Sequence, residues 1–351
     1  MRRYAIWGTA TSPAHEEWVR SVGEEFEQAG FVRVDDVAQA DFVLNMFDPE
    51  RPKAFRRASR GTYSAAFYEL PAVPEDVLKE SYPMLVRTLS NVVLLRVPGE
   101  GVWFTTMERG TYRVADDPRA IYERLAPLAT SRLVIDNEWI PDLEPELWDG
   151  DEVTADISEA GRRLDELDLL PSPFPVEEYL SGRDLRHVMR LYSVGGLSYG
   201  NLSARKDDTR FWMSASGVDK SKLDVVGRDI LLVSGYDEER GVIRLSVPPG
   251  IEPRRVSVDA IEHWMIYRRH PEVGAILHVH AWMEGIAATD VNYPCGTHEL
   301  AVAVSELVDR EPDPAHAVIG LRNHGITCTG ESLAEILDRV APKVLRQVPM
   351  T

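Results

Sequence analysis

The chain has 351 residues, 44% of them hydrophobic, and a formal net charge of -18. That length suits two domains, since single cores usually stop growing near ~250–300 residues, and no apolar run approaches the roughly 20 residues that span a bilayer. The acidity argues against a general nucleic-acid binder, because phosphate contacts need clustered Lys and Arg.

The opening stretch MRRYAIWGTATSP holds too short an apolar run for a signal peptide and reads as a first strand at residues 4–7. With no export signal, a cytoplasmic location is the default. The two cysteines, Cys295 and Cys328, do not make a disulfide framework. A helix is predicted over 13–29, with Ser12 as N-cap, Pro13 at the first helical position, Glu16 and Glu17 in the first turn, and Gly30 ending it. Strands follow at 31–34 and 41–46, a helix at 74–90, strands at 92–97 and 102–106, and a helix at 117–128. Residues 1–141 are thus expected to form a small, separate α/β domain of no assigned role.

The turn Gly8-Thr9-Ala10-Thr11-Ser12 stands where an α/β domain would hold a phosphate. It lacks both G-x-G-x-x-G and the P-loop pattern, and ordinary strand-to-helix turn chemistry explains its hydroxyls. The basic run Arg51, Lys53, Arg56, Arg57 and Arg60 reads as a solvated face. Residues 142–175 are acidic and end in a Pro/Ser-rich stretch, so they are expected to be a linker with one helix near 157–167. A second domain is expected over 176–351.

The chemistry-bearing residues lie in that second domain. In GAILHVHA, residues 275–280 are strand-like, and side chains two apart on a strand share a face, so His278 and His280 point the same way. An H-x-H pair alone is common without a metal. A second apolar strand, 317–321, runs into Asn323-His324-Gly325, and three histidines with an open position form a familiar catalytic metal arrangement. Imidazoles suit zinc, and also iron, cobalt or nickel. Upstream, a helix at 180–193 leads into GGLSYGNLSAR, and FWMSASGVDKSKL follows; turns of this kind can present N–H groups and hydroxyls to an anion. Asp259 then opens a helix that ends before Pro271, where the bland reading is compensation of the helix dipole.

The ordered set reads GN-x-S-x-R, SG-x-D-K-x-x-L, S-x-D-x-x-x-H-x-x-x-Y, P-x-V-x-A-I-x-H-x-H, G-T-x-E-L-A, and N-H-G with a downstream S-L-A-E helix. Over about residues 180–340 it resembles the class II aldolase/adducin family. The resemblance implies an α/β/α domain with a central, mainly antiparallel sheet. It also implies a divalent metal on His278, His280 and His324, zinc first, with iron, manganese or cobalt as alternatives. It places Ser198, Asn201, Ser216, Gly217 and Ser257 in substrate or phosphate binding and Asp259 as the acid/base group. The implied activity is a metal-dependent, aldolase-type lyase that makes or breaks a C–C bond in a small hydroxy-carbonyl or sugar-phosphate-like substrate through a metal-stabilised enediolate. A 4-epimerase, a decarboxylase or oxygenase, and a non-catalytic adducin-like interaction protein are the alternatives. A homo-oligomer is expected, with no nucleic-acid or membrane partner.

Departures from the family pattern are visible. Asp259 stands where aldolases of the family carry Glu. Only 281–295 separates H-x-H from G-T-x-E-L, where family members have a longer segment. No tyrosine follows Tyr293, so no tail tyrosine is assigned. The phosphate segment reads Val256-Ser257-Val258-Asp259, with one hydroxyl fewer than usual, which leaves open whether the substrate is phosphorylated. His263 and Cys328 read as core residues, Cys295 could reach the metal region through its loop, and His298 and His316 lack ligand spacing.

Overall fold

The computed structural model describes residues 1–56, 62–106, 110–169, 176–191 and 199–351. The chain divides into two compact units. One comprises Met1–Thr130 with Phe174–Tyr192 and Met350–Thr351; the other comprises Ser131–Pro173 and Ser193–Pro349.

The first unit runs β1 (Arg3–Gly8), α1 (Pro13–Gln28), β2 (Val32–Arg33), β3 (Phe42–Met46), β4 (Tyr63–Glu69), α2 (Val77–Thr88), β5 (Val92–Val97), β6 (Gly101–Thr106), β7 (Gly110–Val114) and α3 (Pro118–Thr130). Its strands lie in the order β2-β1-β3-β4-β5-β6-β7. Pairing is parallel from β2 through β5 and antiparallel from β5 through β7. Ser12 caps α1 by accepting from the His15 amide at 3.0 Å, and Thr11 donates its amide to His15 Nδ1 at 3.2 Å. The hydroxyl-bearing turn after β1 is thus engaged in helix-start chemistry. The sequence reading passed over β4 because all but the last of its residues are buried, which removes the alternation that marks a half-exposed strand.

The remaining elements in chain order are β8 (Asp136–Ile140), α4 (Glu152–Asp165), α5 (Val176–Tyr179), α6 (Gly182–Leu191), β9 (Gly200–Arg205), β10 (Phe211–Ser214), β11 (Ile230–Asp237), β12 (Val242–Ser246), α7 (Ala260–Arg269), β13 (Ala275–Val279), β14 (Ala287–Ala288), α8 (His298–Arg310), β15 (Val318–Leu321), β16 (Gly325–Gly330) and α9 (Leu333–Val340). The second unit's sheet has the order β14-β15-β16-β13-β9-β10-β11-β12-β8. It is antiparallel apart from its two edges, where β14 joins β15 and β8 joins β12 in parallel.

The expected linker at 142–175 does carry a helix over its predicted region, α4, but that helix is packed into the second unit. Strand β8 extends the second unit's sheet, and α4 packs against it through buried Ile157, Ala160, Gly161 and Leu164. Asp151 caps α4 and also accepts from Lys206 Nζ at 2.7 Å and from Trp212 Nε1 at 3.1 Å, which ties the helix start to the sheet. Gly161 lets the helix approach the Lys220 carbonyl, where a Cβ would collide. The acidic residues that suggested a linker are the solvated side of an amphipathic helix. Helix α6, expected with the second domain, belongs instead to the first unit, where Asp184 pairs with Arg87 at 2.9 Å.

Candidate metal centre

His278 lies in β13, and His280 follows one residue after the strand's end. Antiparallel pairing brings β16 alongside, so the turn before it presents His324 to the same place. Asn323 takes a left-handed φ of 56° in that turn, a conformation asparagine tolerates. The His324 amide closes the turn by donating to the Leu321 carbonyl at 2.9 Å. Ring centroids are 5.3 Å apart for His278 and His280, 4.8 Å for His278 and His324, and 5.0 Å for His280 and His324.

One nitrogen from each ring lies within 4.8 Å of the others. Imidazole–metal bonds of ~2.0–2.1 Å hold ligand nitrogens ~3–4 Å apart, so small side-chain rotations bring all three onto one cation. The rings are tilted or edge-on to one another and not stacked. His278 and His324 are buried and His280 is half-exposed, which leaves one side of the cluster open to solvent. The residues present therefore fit a divalent metal with an accessible position.

The other candidate residues gather in two groups. Asn201, the register partner of His278 on β9, donates its amide to Asp259 Oδ2 at 2.8 Å, and both residues are buried. Asp259 thus stands at the start of α7, linked through Asn201 to the row that holds His278. Ser216 and Gly217 lie in the turn after β10, with Ser216 exposed and Gly217 at φ 66°. The Ser216 amide donates to the Arg255 carbonyl at 2.8 Å and the Ser257 amide to the Ser214 carbonyl at 3.3 Å, which sets this turn beside Ser257. Ser198 lies outside the described residues.

Two neighbours of the cluster, Thr327 and Glu262, were not assigned from sequence, while Cys295 lies where its loop was expected to reach. Cys295 Sγ is 3.3 Å from His324 Nε2. Thr327, the register partner of His278 on β16, places its hydroxyl 3.4 Å from His278 Nδ1 and donates to Glu262 at 2.5 Å. Burial, and then the nearby Asp259 charge, push the Glu262 carboxyl well above the usual carboxylate range, while the Thr327 hydrogen bond opposes them. The available signal was spacing: residues 259 and 262 share a face at the start of one helix. Lys220, in the S-G-x-D-K motif, is also buried, and desolvation lowers its ammonium to about 8.

His263 is a core residue. Its Nδ1 meets Ser203 Oγ at 2.7 Å, and Ser203 Oγ meets Tyr267 OH at 2.9 Å. Burial lowers its imidazole to about 3. Below the unfolded value of 6.5 the unfolded chain binds a proton that the folded chain refuses. The resulting stability is therefore present above about 6.5 and is lost as pH falls toward about 3. His263→Gln is expected to be less stable near neutrality but to lose stability less steeply on acidification. Urea midpoints measured from about pH 7 to about 5 check this; parallel slopes for the two proteins would refute it.

Of the other histidines and cysteines, Cys328 is buried in the core, and desolvation pushes its thiol up to about 12. His316 pairs with Asp313 at 2.8 Å, and His298 opens α8, whose N-cap is Thr297 of the G-T-x-E-L motif. No helix among the described residues is long and apolar enough to cross a membrane.

Comparison with known proteins finds similarity over the segment that carries this site. Residues 185–341 match the family described as Class II Aldolase and Adducin N-terminal domain. Methylthioribulose-1-phosphate dehydratase of Klebsiella pneumoniae is 37% identical over 81 residues, covering 23% of this chain and 34% of that protein. The dehydratase of that name from an Enterobacter species is 28% identical over 169 residues, covering 39% of this chain and 75% of the relative. The match to the first of these relatives thus spans only about a third of that relative's length. Among solved structures, L-fuculose-1-phosphate aldolase from Thermus thermophilus is 20% identical, with a TM-score of 0.34, covering 54% of this chain and 90% of that one. The span matched by the class II aldolase and adducin N-terminal domain family, residues 185–341, carries all three histidines and Asp259.

Proposed function

We propose that the second unit is a metal-dependent lyase acting on a small hydroxy-carbonyl substrate, and that the three imidazoles converging within 4.8 Å are its metal ligands. That convergence is the observation that carries the reading. When bound, a divalent cation, zinc first, supplies Lewis-acid polarisation of a carbonyl oxygen. Asp259 moves the proton at the carbon beside that carbonyl, and Asn201 holds its carboxylate in place through the 2.8 Å hydrogen bond. The Ser216–Gly217 turn, with Ser257 beside it, takes the substrate's anionic end. Ser198 belongs to the same binding group through the family pattern.

Two bonds are candidates for cleavage. The family resemblance favours C–C cleavage of the aldolase type. The curated relatives carry the name methylthioribulose-1-phosphate dehydratase, which favours loss of water from a phosphorylated ketose. Dehydration begins with proton removal from the carbon beside the polarised carbonyl, whereas C–C cleavage begins with loss of the β-hydroxyl proton and ends with a proton delivered to that carbon, so both routes move a proton there. The oligomer is proposed to be a homo-oligomer, and the location cytoplasmic.

The test incubates zinc-loaded protein with phosphorylated and free ketoses and follows products by mass spectrometry. Dihydroxyacetone phosphate or glycolaldehyde marks C–C cleavage, a product one water lighter marks dehydration, and an isomer of unchanged mass marks epimerisation. Asp259→Asn is expected to lower turnover ~10²–10⁴-fold, the usual range for a lost acid/base group. Zinc-loaded protein inert toward every such substrate would overturn the lyase reading in favour of an interaction protein.

A further inference from the structure

His278 is held from both sides in one row of the sheet. Asn201, His278 and Thr327 are in register across β9, β13 and β16. Helix α7 lies against this row with two carboxyls three residues apart. Asp259 takes Asn201 at 2.8 Å, and Glu262 takes Thr327 at 2.5 Å. The first pair is accounted for by the proposed proton transfer. The second pair has no role in that scheme, although Glu262 is 1% exposed and Thr327 equally buried. A glutamate sunk in a core is costly unless its hydrogen bonds serve a purpose, and an apolar side chain would fill the space more cheaply.

The direction of these bonds bears on the metal centre. Glu262 Oε1 accepts from the Thr327 hydroxyl, whether or not a proton sits on Oε2. With its hydrogen committed to Glu262, the Thr327 oxygen faces His278 Nδ1 as an acceptor, at 3.4 Å. A proton on His278 Nδ1 would satisfy that acceptor and leave the lone pair on Nε2. We propose that Glu262 is a positioning residue: through Thr327 it fixes the tautomer and ring orientation of His278, so that Nε2 is the ligand atom. A hydrogen-bonded partner on the far nitrogen is the usual way a protein sets which imidazole nitrogen binds a metal. The proposal rests on the metal reading above and assigns two further residues to it.

The test uses the full chain, labelled with ¹⁵N-histidine and metal-free, observed by long-range proton–nitrogen correlation, with His278 signals identified by their loss in His278→Gln. The wild type is expected to show a proton on Nδ1 of His278. Thr327→Val, nearly isosteric, and Glu262→Leu should each mix or invert that pattern without changing His280 or His324. Glu262→Gln keeps an accepting Oε1 and should restore it. Zinc affinity, measured by competition with a chelating dye, should fall ~10–100-fold in Thr327→Val and Glu262→Leu, as for loss of an outer partner of a metal ligand. The double variant should fall no further than the weaker single one. If Thr327→Val keeps both the wild-type tautomer and the wild-type zinc affinity, the relay is wrong. A wild type that shows the Nδ1 proton but takes up no zinc would leave the relay standing and remove the metal reading. Zinc uptake with the proton on Nε2 would do the reverse.

Discussion

His278→Ala is expected to reduce bound transition metal from about one equivalent per chain to background, when both proteins are purified without chelator. His278 is the buried member of the H-x-H pair, and its ring lies closest to His324, at 4.8 Å between centroids. Its loss should weaken zinc binding by more than the ~10–100-fold that removal of an outer partner costs. The effect carries into stability, because a ligand held only by the folded state at ~100 times its dissociation constant adds ~2.7 kcal/mol. Chelator should therefore lower the melting temperature of the wild type and leave that of His278→Ala unchanged. Equal metal content in the two proteins, or chelator sensitivity in both, would show that the three imidazoles are not the metal ligands.

Gly325→Ala should damage fold and site together. A Cβ on residue 325 would stand inside contact distance of the Val279 carbonyl oxygen and 3.1 Å from the His280 Cα. Both obstacles are backbone, so neither can rotate away. Strand β16 would have to shift from β13, carrying His324 with it. Overpacking of this kind costs ~1–3 kcal/mol. The variant should unfold at lower urea and bind zinc more weakly. Wild-type values for both would mean that the close approach of β13 and β16 is not what sets His324.

How legible the molecule was in its sequence depended on how local each signal is. Helix α1 was marked at both ends by Ser12, Pro13 and Gly30, and the histidines by the two-residue strand period with a glycine after His324. Strand β4 was not legible, because burial on both faces erases its pattern. The 142–175 segment misled because its charges dominate its composition, while Ile157, Ala160 and Leu164 bury a face that only helical spacing reveals. Glu262 and Thr327 were passed over for a related reason. In the sequence a helix glutamate and a strand threonine look like solvated residues, and only the pairing of β13 with β16 beneath α7 brings them to His278.

The chain's path between its two units bears on the order in which a ribosome could complete them. Residues 131–173 belong to the second unit, yet β8 pairs with β12 about a hundred residues later, and α4 docks on strands that begin at Gly200. On emergence, this segment has an apolar helix face and a bare strand edge and nothing of its own to cover them. The first unit also waits, for α6 at Gly182–Leu191. Neither unit can close as a finished block before the next begins, so nascent chains stalled between residues 170 and 240 should be the ones most prone to chaperone capture or aggregation.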